Sequence, residues 1–109
     1  MGLKVIWTDY ALNQLEQIFD FFKYTASINV SKKIVAQIID KTLLLENNPF
    51  IGSKEPLLEN RSREYRYLVE GNYKIIYSVE GNIVRVNSIF DCRQSPIKVS
   101  DSSPFVKVL

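Results

Sequence analysis

The chain has 109 residues, a net charge of +2, a hydrophobic fraction of 46%, one cysteine and no histidine. That length makes a single domain and that apolar content supplies a core, which excludes bulk disorder. A lone cysteine forms no internal disulfide, the missing histidines remove common zinc donors, and no apolar run approaches the roughly 20 residues that span a bilayer. No metal, other cofactor or membrane association is therefore expected, and the cytoplasm is the expected location.

The charge is uneven. Residues 1–60 hold six Lys/Arg against seven Asp/Glu, whereas residues 61–98 hold seven against four. The basic excess sits in the second half, and it is mild.

The opening segment "LKVIWT" sets Leu3, Val5 and Trp7 against Lys4, Ile6 and Thr8, the period of a short strand. Thr8 or Asp9 can then cap a helix in which Leu12, Leu15, Ile18, Phe19 and Phe22 form one apolar stripe. Asn29 or Ser31 is expected to cap a second helix, with Ile34, Ile38, Thr42 and Leu45 on one face beside Val35 and Ile39. "ENNPFIGSKEP" ends it with Asn, Pro and Gly. Two helices joined this closely pack as an antiparallel hairpin.

From Arg63 the period becomes 2. Three runs follow, around Tyr65–Val69, Tyr73–Val79 and Ile83–Phe90, separated twice by "VEGN". Gly-Asn suits a two-residue hairpin turn, because glycine takes a positive φ at its first position. The order β-α-α-β-β-β defines an α+β domain over residues 1–98, an antiparallel sheet covered on one face by a helical hairpin. Residues 99–109 begin with a polar, proline-containing break and are expected to be a flexible tail or an arm ordered by a partner.

The segments "VIWTDYALNQLEQIFDFF", "NNPFIG" and "YRYLVEGNYKIIYSVEGNIVRVNSIFDCRQSP" together resemble the RelE/ParE family of bacterial type II toxins. The features are the opening strand and helix, a Pro-x-x-Gly helix exit, and the sheet pattern Arg-x-Leu, Gly-x-Tyr-(Arg/Lys)-x-x-Tyr and Arg-x-x-Pro. The resemblance implies a small toxin neutralised by a cognate antitoxin, in a system of the plasmid-stabilising kind. It leaves three functions open. The ParE-like branch, favoured here, inhibits DNA gyrase without being a nuclease. The RelE-like branch is a metal-independent endoribonuclease that cuts messenger RNA on the ribosome. Some members retain only antitoxin binding.

RNA cleavage through a ribose 2′-hydroxyl needs a base, cations for the phosphate and a donor for the leaving oxygen. Arg66, Lys74 and Arg93 are the candidate cations. Arg66 and Lys74 meet on one face if their hairpin pairs them in register, with Arg93 at the mouth of the last strand. The same three residues and Arg85 are the candidates for target or antitoxin binding, and Arg85 can lie on the other face from Arg66. Base candidates are weaker. Asp91-Cys92 stands where relatives often carry His-Gly, and "RQSPIKV" offers no Tyr or His. Tyr65, Tyr67, Tyr73 and Tyr77 read as a core-facing row, and Glu55 and Glu59 can serve only if their loop folds over the sheet. No helix carries the basic residues of a sequence-specific DNA reader.

Overall fold

The computed structural model describes residues 2–56 and 63–92. Arg93, Glu59 and the tail 99–109 lie outside the described residues. Thr8 both ends the first strand, β1 (Lys4–Trp7), and opens the first helix, α1 (Asp9–Thr25). Its hydroxyl accepts the Ala11 N–H at 3.0 Å and donates to the Asn87 carbonyl at 3.2 Å, so the cap also ties the helix to the last strand. The second helix, α2 (Ile28–Leu43), is capped by Ser27, not by Asn29 or Ser31. Ser27 has the extended backbone a cap requires, and its hydroxyl accepts the Val30 N–H at 3.1 Å. Ser31 is instead a fully buried helix-to-helix contact that donates to the Phe19 carbonyl at 2.7 Å.

The buried face of α1 runs through Ala11 and Leu15, with Ile18 packed beside them, while Leu12 is exposed. The stripe is thus turned slightly from the expected one, and small Ala11 lies where the helix packs in the core. On α2, Ile38 and Thr42 are buried and Ile39 is exposed. Leu45 completes that face from a single 3-10 turn, Leu44–Glu46.

Five strands follow the order β1-β5-β4-β3-β2, with β2 at Ser53–Lys54, β3 at Arg66–Glu70, β4 at Tyr73–Glu80 and β5 at Ile83–Asp91. The three long strands form the expected antiparallel meander. β1 adds beside β5, but parallel to it, so the sheet is mixed. The two-residue strand β2 was not anticipated.

Gly71 and Gly81 take φ of 59° and 63°, and no other described residue has a positive φ. Both turns therefore show the first-position glycine of a two-residue hairpin. The first turn pairs Glu70 with Tyr73, and hence Arg66 with Tyr77, Leu68 with Ile75, and Val69 with Lys74. Between β4 and β5, Tyr77 pairs with Val86 but Ile76 with Ser88, so Asn87 is an extra, bulged residue. The bulge lets Val84, Val86 and Ile89 all reach the helix side despite their mixed parity.

The core lies between helices and sheet. Ala11, Leu15, Ile38, Ile75, Val86 and Ile89 form one cluster, and Leu45, Tyr77 and Val84 another. Beyond the end of β1, the Gln14 side chain of α1 accepts the Ile89 N–H at 2.6 Å and the Ser88 hydroxyl at 3.0 Å. That satisfies part of the β5 edge which no strand among the described residues covers.

Candidate functional site

The register separates the sequence candidates. Arg66 shares its face with Leu68, Ile75 and Tyr77, toward the helices. Lys74 and Arg85 lie on the opposite face. Arg66 and Lys74 therefore do not converge. A two-residue turn sets them out of step, because the cross-strand partner of Arg66 is Tyr77 and that of Lys74 is Val69. Tyr65 and Tyr67 likewise point away from Tyr73 and Tyr77, so the four tyrosines are not one row; Tyr65 is nonetheless buried.

Arg66 is engaged as a clamp. Its guanidinium donates to the Gly52 carbonyl at 2.7 Å, the Phe50 carbonyl at 3.3 Å and the Glu64 carboxylate at 2.8 Å. It also lies 5.3 Å from the centre of the Phe50 ring. The Tyr77 hydroxyl accepts the Gly52 N–H at 2.9 Å. Burial raises the Tyr77 phenol above its ordinary range, opposed by the Gly52 hydrogen bond and the charge of Arg66, so the hydroxyl stays protonated at neutral pH. A Cβ at Gly52 would come within 2.6 Å of both the Tyr67 carbonyl oxygen and the Tyr77 hydroxyl, so only glycine fits there. Arg66, Tyr77 and Gly52 fix the segment that returns the chain to the sheet, where the Glu55 N–H donates to the Tyr65 carbonyl at 2.8 Å.

The fold-over required of Glu55 does occur. Its carboxylate is fully buried against Lys74, whose Nζ donates to Oε1 at 3.1 Å and lies 2.7 Å from Oε2. Oε2 has this charge contact but no aligned hydrogen bond. The ammonium also lies 4.2 Å from the Tyr67 ring centre and 5.9 Å from that of Phe90. A caged cation of this kind is held by its carboxylate and by ring faces together.

Arg85 belongs to a second cluster that sequence reasoning missed. Its Nε donates to Glu80 Oε2 at 2.9 Å and its Nη2 reaches Oε1 at 3.5 Å. Arg63 Nη1 lies 3.3 Å from the same Oε2, and the Ser78 hydroxyl donates to it at 3.1 Å. The bulged Asn87 donates to Ser78 and to the Arg85 carbonyl, bracing both from behind. The Arg85 hydrogen bond holds the Glu80 carboxyl below its ordinary range, against a smaller opposing effect of burial and with further help from Ser78 and the two arginine charges. The signal for this cluster was Glu80 itself, the residue before the second Gly-Asn turn.

Cys92, the free thiol, is exposed, and both its N–H and its Sγ contact the Asn72 carbonyl, at 2.7 and 2.9 Å. Among the described residues no group of three His, Cys, Asp or Glu could hold a metal ion, and no helix is long and apolar enough to cross a membrane.

A helical hairpin laid on one face of a five-stranded sheet defines an α+β fold of the RelE/ParE toxin type. Residues 5–96 match the family described as ParE toxin of type II toxin-antitoxin system, parDE, and the chain belongs to that family. Among solved structures, it is similar to a chain of the chromosomal ParDE TA system from P. aeruginosa, with a TM-score of 0.68 and 19% identity over 83% of this chain and 96% of that one. It is also similar to the YoeB dimer structure from Staphylococcus aureus, with a TM-score of 0.50 and 20% identity over 81% of this chain and 94% of that one. At these identities the likeness is one of fold. Comparison with curated proteins gave no significant match.

Proposed function

We propose that this ParE-family toxin arrests growth in the cytoplasm by binding DNA gyrase, and that a cognate antitoxin encoded beside it neutralises it. The observation that carries the choice of target is the state of the candidate nuclease groups. Glu55, the described one of the two carboxylate base candidates, is fully buried with its carboxylate against Lys74. A general base must come within hydrogen-bond reach of the hydroxyl it deprotonates, and this one has no open approach. Arg66 spends its donors on two backbone carbonyls and Glu64, on the helix side of the sheet. Arg66 and Lys74 therefore do not converge into a phosphate cradle, which favours a reading in which the toxin acts by protein contact. Arg93, which follows β5, is the remaining cation proposed for target or antitoxin contact.

The test is induction of the chain alone in bacteria, following ribosome-bound message and plasmid supercoiling in one culture. Loss of supercoiling control with gyrase-linked DNA breaks and intact message is expected. Rapid message cleavage with normal supercoiling would replace this reading with the ribonuclease. A folded chain that leaves growth unchanged but still binds the product of the adjacent reading frame would leave only the antitoxin half.

A further inference from the structure

We infer that the Arg63–Glu80–Arg85 cluster is a docking point for an acidic segment of the partner protein, whose carboxylate bridges the two guanidiniums in place of Glu80. The inference rests on the toxin–antitoxin reading above and places the acidic segment on the antitoxin.

The cluster is unbalanced. Among the described residues two arginines share one carboxylate, and the sharing is lopsided: Oε2 meets Arg85, Arg63 and Ser78, whereas Oε1 has the 3.5 Å contact with Arg85. Each guanidinium carries five N–H donors, more than one carboxylate can take. Their side chains are open to solvent, Arg63 at 48% and Arg85 at 35%.

The sheet register extends the charge into a surface. Ile83 pairs with Glu80 on one side and with Lys4 on the other, and Arg85 pairs with Ile6. All of these residues face away from the helices, since Val5, Val79 and Val84 fill the core positions between them. Among the described residues, three cations, Arg63, Arg85 and Lys4, therefore stand at this end of the sheet over a floor that includes Ile6 and Ile83, against one acid, Glu80. A segment mixing acidic and apolar residues matches both features. A second basic patch of this chain would not, and planar guanidiniums match the two-oxygen fork of a carboxylate, the group that Glu80 already presents to them.

Glu80 is then an internal competitor that keeps the arginines oriented until the partner arrives. This gives substitutions opposite signs. Arg63→Ala with Arg85→Ala removes the receptor, and Glu80→Gln, isosteric but uncharged, removes the competitor. The probe is the recombinant product of the adjacent reading frame, titrated against the full chain at about 0.1 M salt, where a Debye length of about 10 Å leaves short pairs effective.

The double arginine variant is expected to bind about tenfold or more weakly, with a flatter salt dependence, and Glu80→Gln to bind several-fold more tightly. Circular dichroism and melting confirm the fold of each variant. Should the double variant not fold, Arg63→Gln alone, outside the strands, takes the same measurement and is expected to weaken binding. Unchanged affinity in the folded arginine variants overturns the inference. So does weakening by Glu80→Gln in parallel with them, which would make the cluster a brace. A concentration-dependent dimer of the chain alone, lost in the arginine variants, would assign the surface to a second copy and overturn it as well. If the wild-type chain does not bind the probe, the toxin–antitoxin reading itself fails.

Discussion

The side chain that best separates structure from chemistry is Lys74. Its ammonium meets the buried Glu55 carboxylate and the Tyr67 ring, so its charge is matched where it lies. Breaking a buried pair leaves one charge without a partner, which costs about 3–5 kcal/mol, whereas replacing both members with apolar residues of similar volume is often close to neutral. Lys74→Met is therefore expected to lower the urea-unfolding free energy by about 3 kcal/mol. Adding Glu55→Leu to it should recover most of the loss. If Lys74→Met abolishes growth arrest while the double variant remains folded and still inactive, the lysine contributes to toxicity apart from stability. A double variant as unstable as the single would show that the pair is not energetically coupled.

At the level of the elements, glycine serves two different ends. Gly71 and Gly81 have positive φ, and a Cβ at either meets nothing within 4 Å, so only the backbone conformation demands glycine. Gly52 faces the reverse case, with a Cβ driven against a backbone carbonyl and a buried tyrosine. Gly71→Ala is expected to cost about 1 kcal/mol, the ordinary penalty of the left-handed region, and Gly71→Asn less. Gly52→Ala is expected to cost about 2–3 kcal/mol as overpacking, because the Tyr67 carbonyl cannot swing aside. Thermal melting of the three variants checks the order, and Gly52→Ala melting above Gly71→Ala would refute it. The end of β4 supplies a pH test. Glu80 has a folded pKa below its unfolded one, so its stabilisation is complete above the ordinary carboxylate range and is lost as pH falls through the folded value. The stability gap between the wild-type chain and Glu80→Gln should be present at pH 7 and close below about pH 4. A gap that persists unchanged at pH 2 would rule out titration of Glu80 as its source.

These elements also show what the sequence made legible. Both helices and all three meander strands follow from apolar period, and both turns from Gly-Asn. The separation of Arg66 from Lys74 was available too, because a two-residue turn at Gly71-Asn72 already pairs Arg66 with Tyr77. Three features were not. A two-residue strand such as Ser53–Lys54 has no period to detect. The Asn87 bulge shifts parity within β5 without a glycine or proline to mark it. The grip of Arg66 on Phe50 and Gly52 joins residues 14 and 16 positions apart, through contacts that only the folded loop creates.

Across the whole molecule, neither half of the chain can satisfy itself. The meander turns Ile75, Tyr77, Val84, Val86 and Ile89 toward the helices, and each is essentially inaccessible in the fold. Without β1, α1 and α2 that row would face water, at about 1.5–3 kcal/mol for each large side chain. The helical hairpin would in turn expose Ala11, Leu15 and Ile38. Polar ties span the same division: Thr8 to Asn87, Gln14 to Ser88 and Ile89, and the parallel pairing of β1 with β5. Residues 1–46 and 47–109, made separately, are therefore expected to lack dispersed amide resonances. Mixed, they should recover a spectrum close to that of the intact chain, with the Ile89 amide among the last to exchange its proton because Gln14 covers it. A dispersed spectrum from residues 47–109 alone would show that the sheet holds its own fold and that the helices are added to it. In that case the weakness of Gln14→Ala would be confined to the β5 edge, whereas mutual dependence predicts that it lowers the melting temperature of the entire molecule.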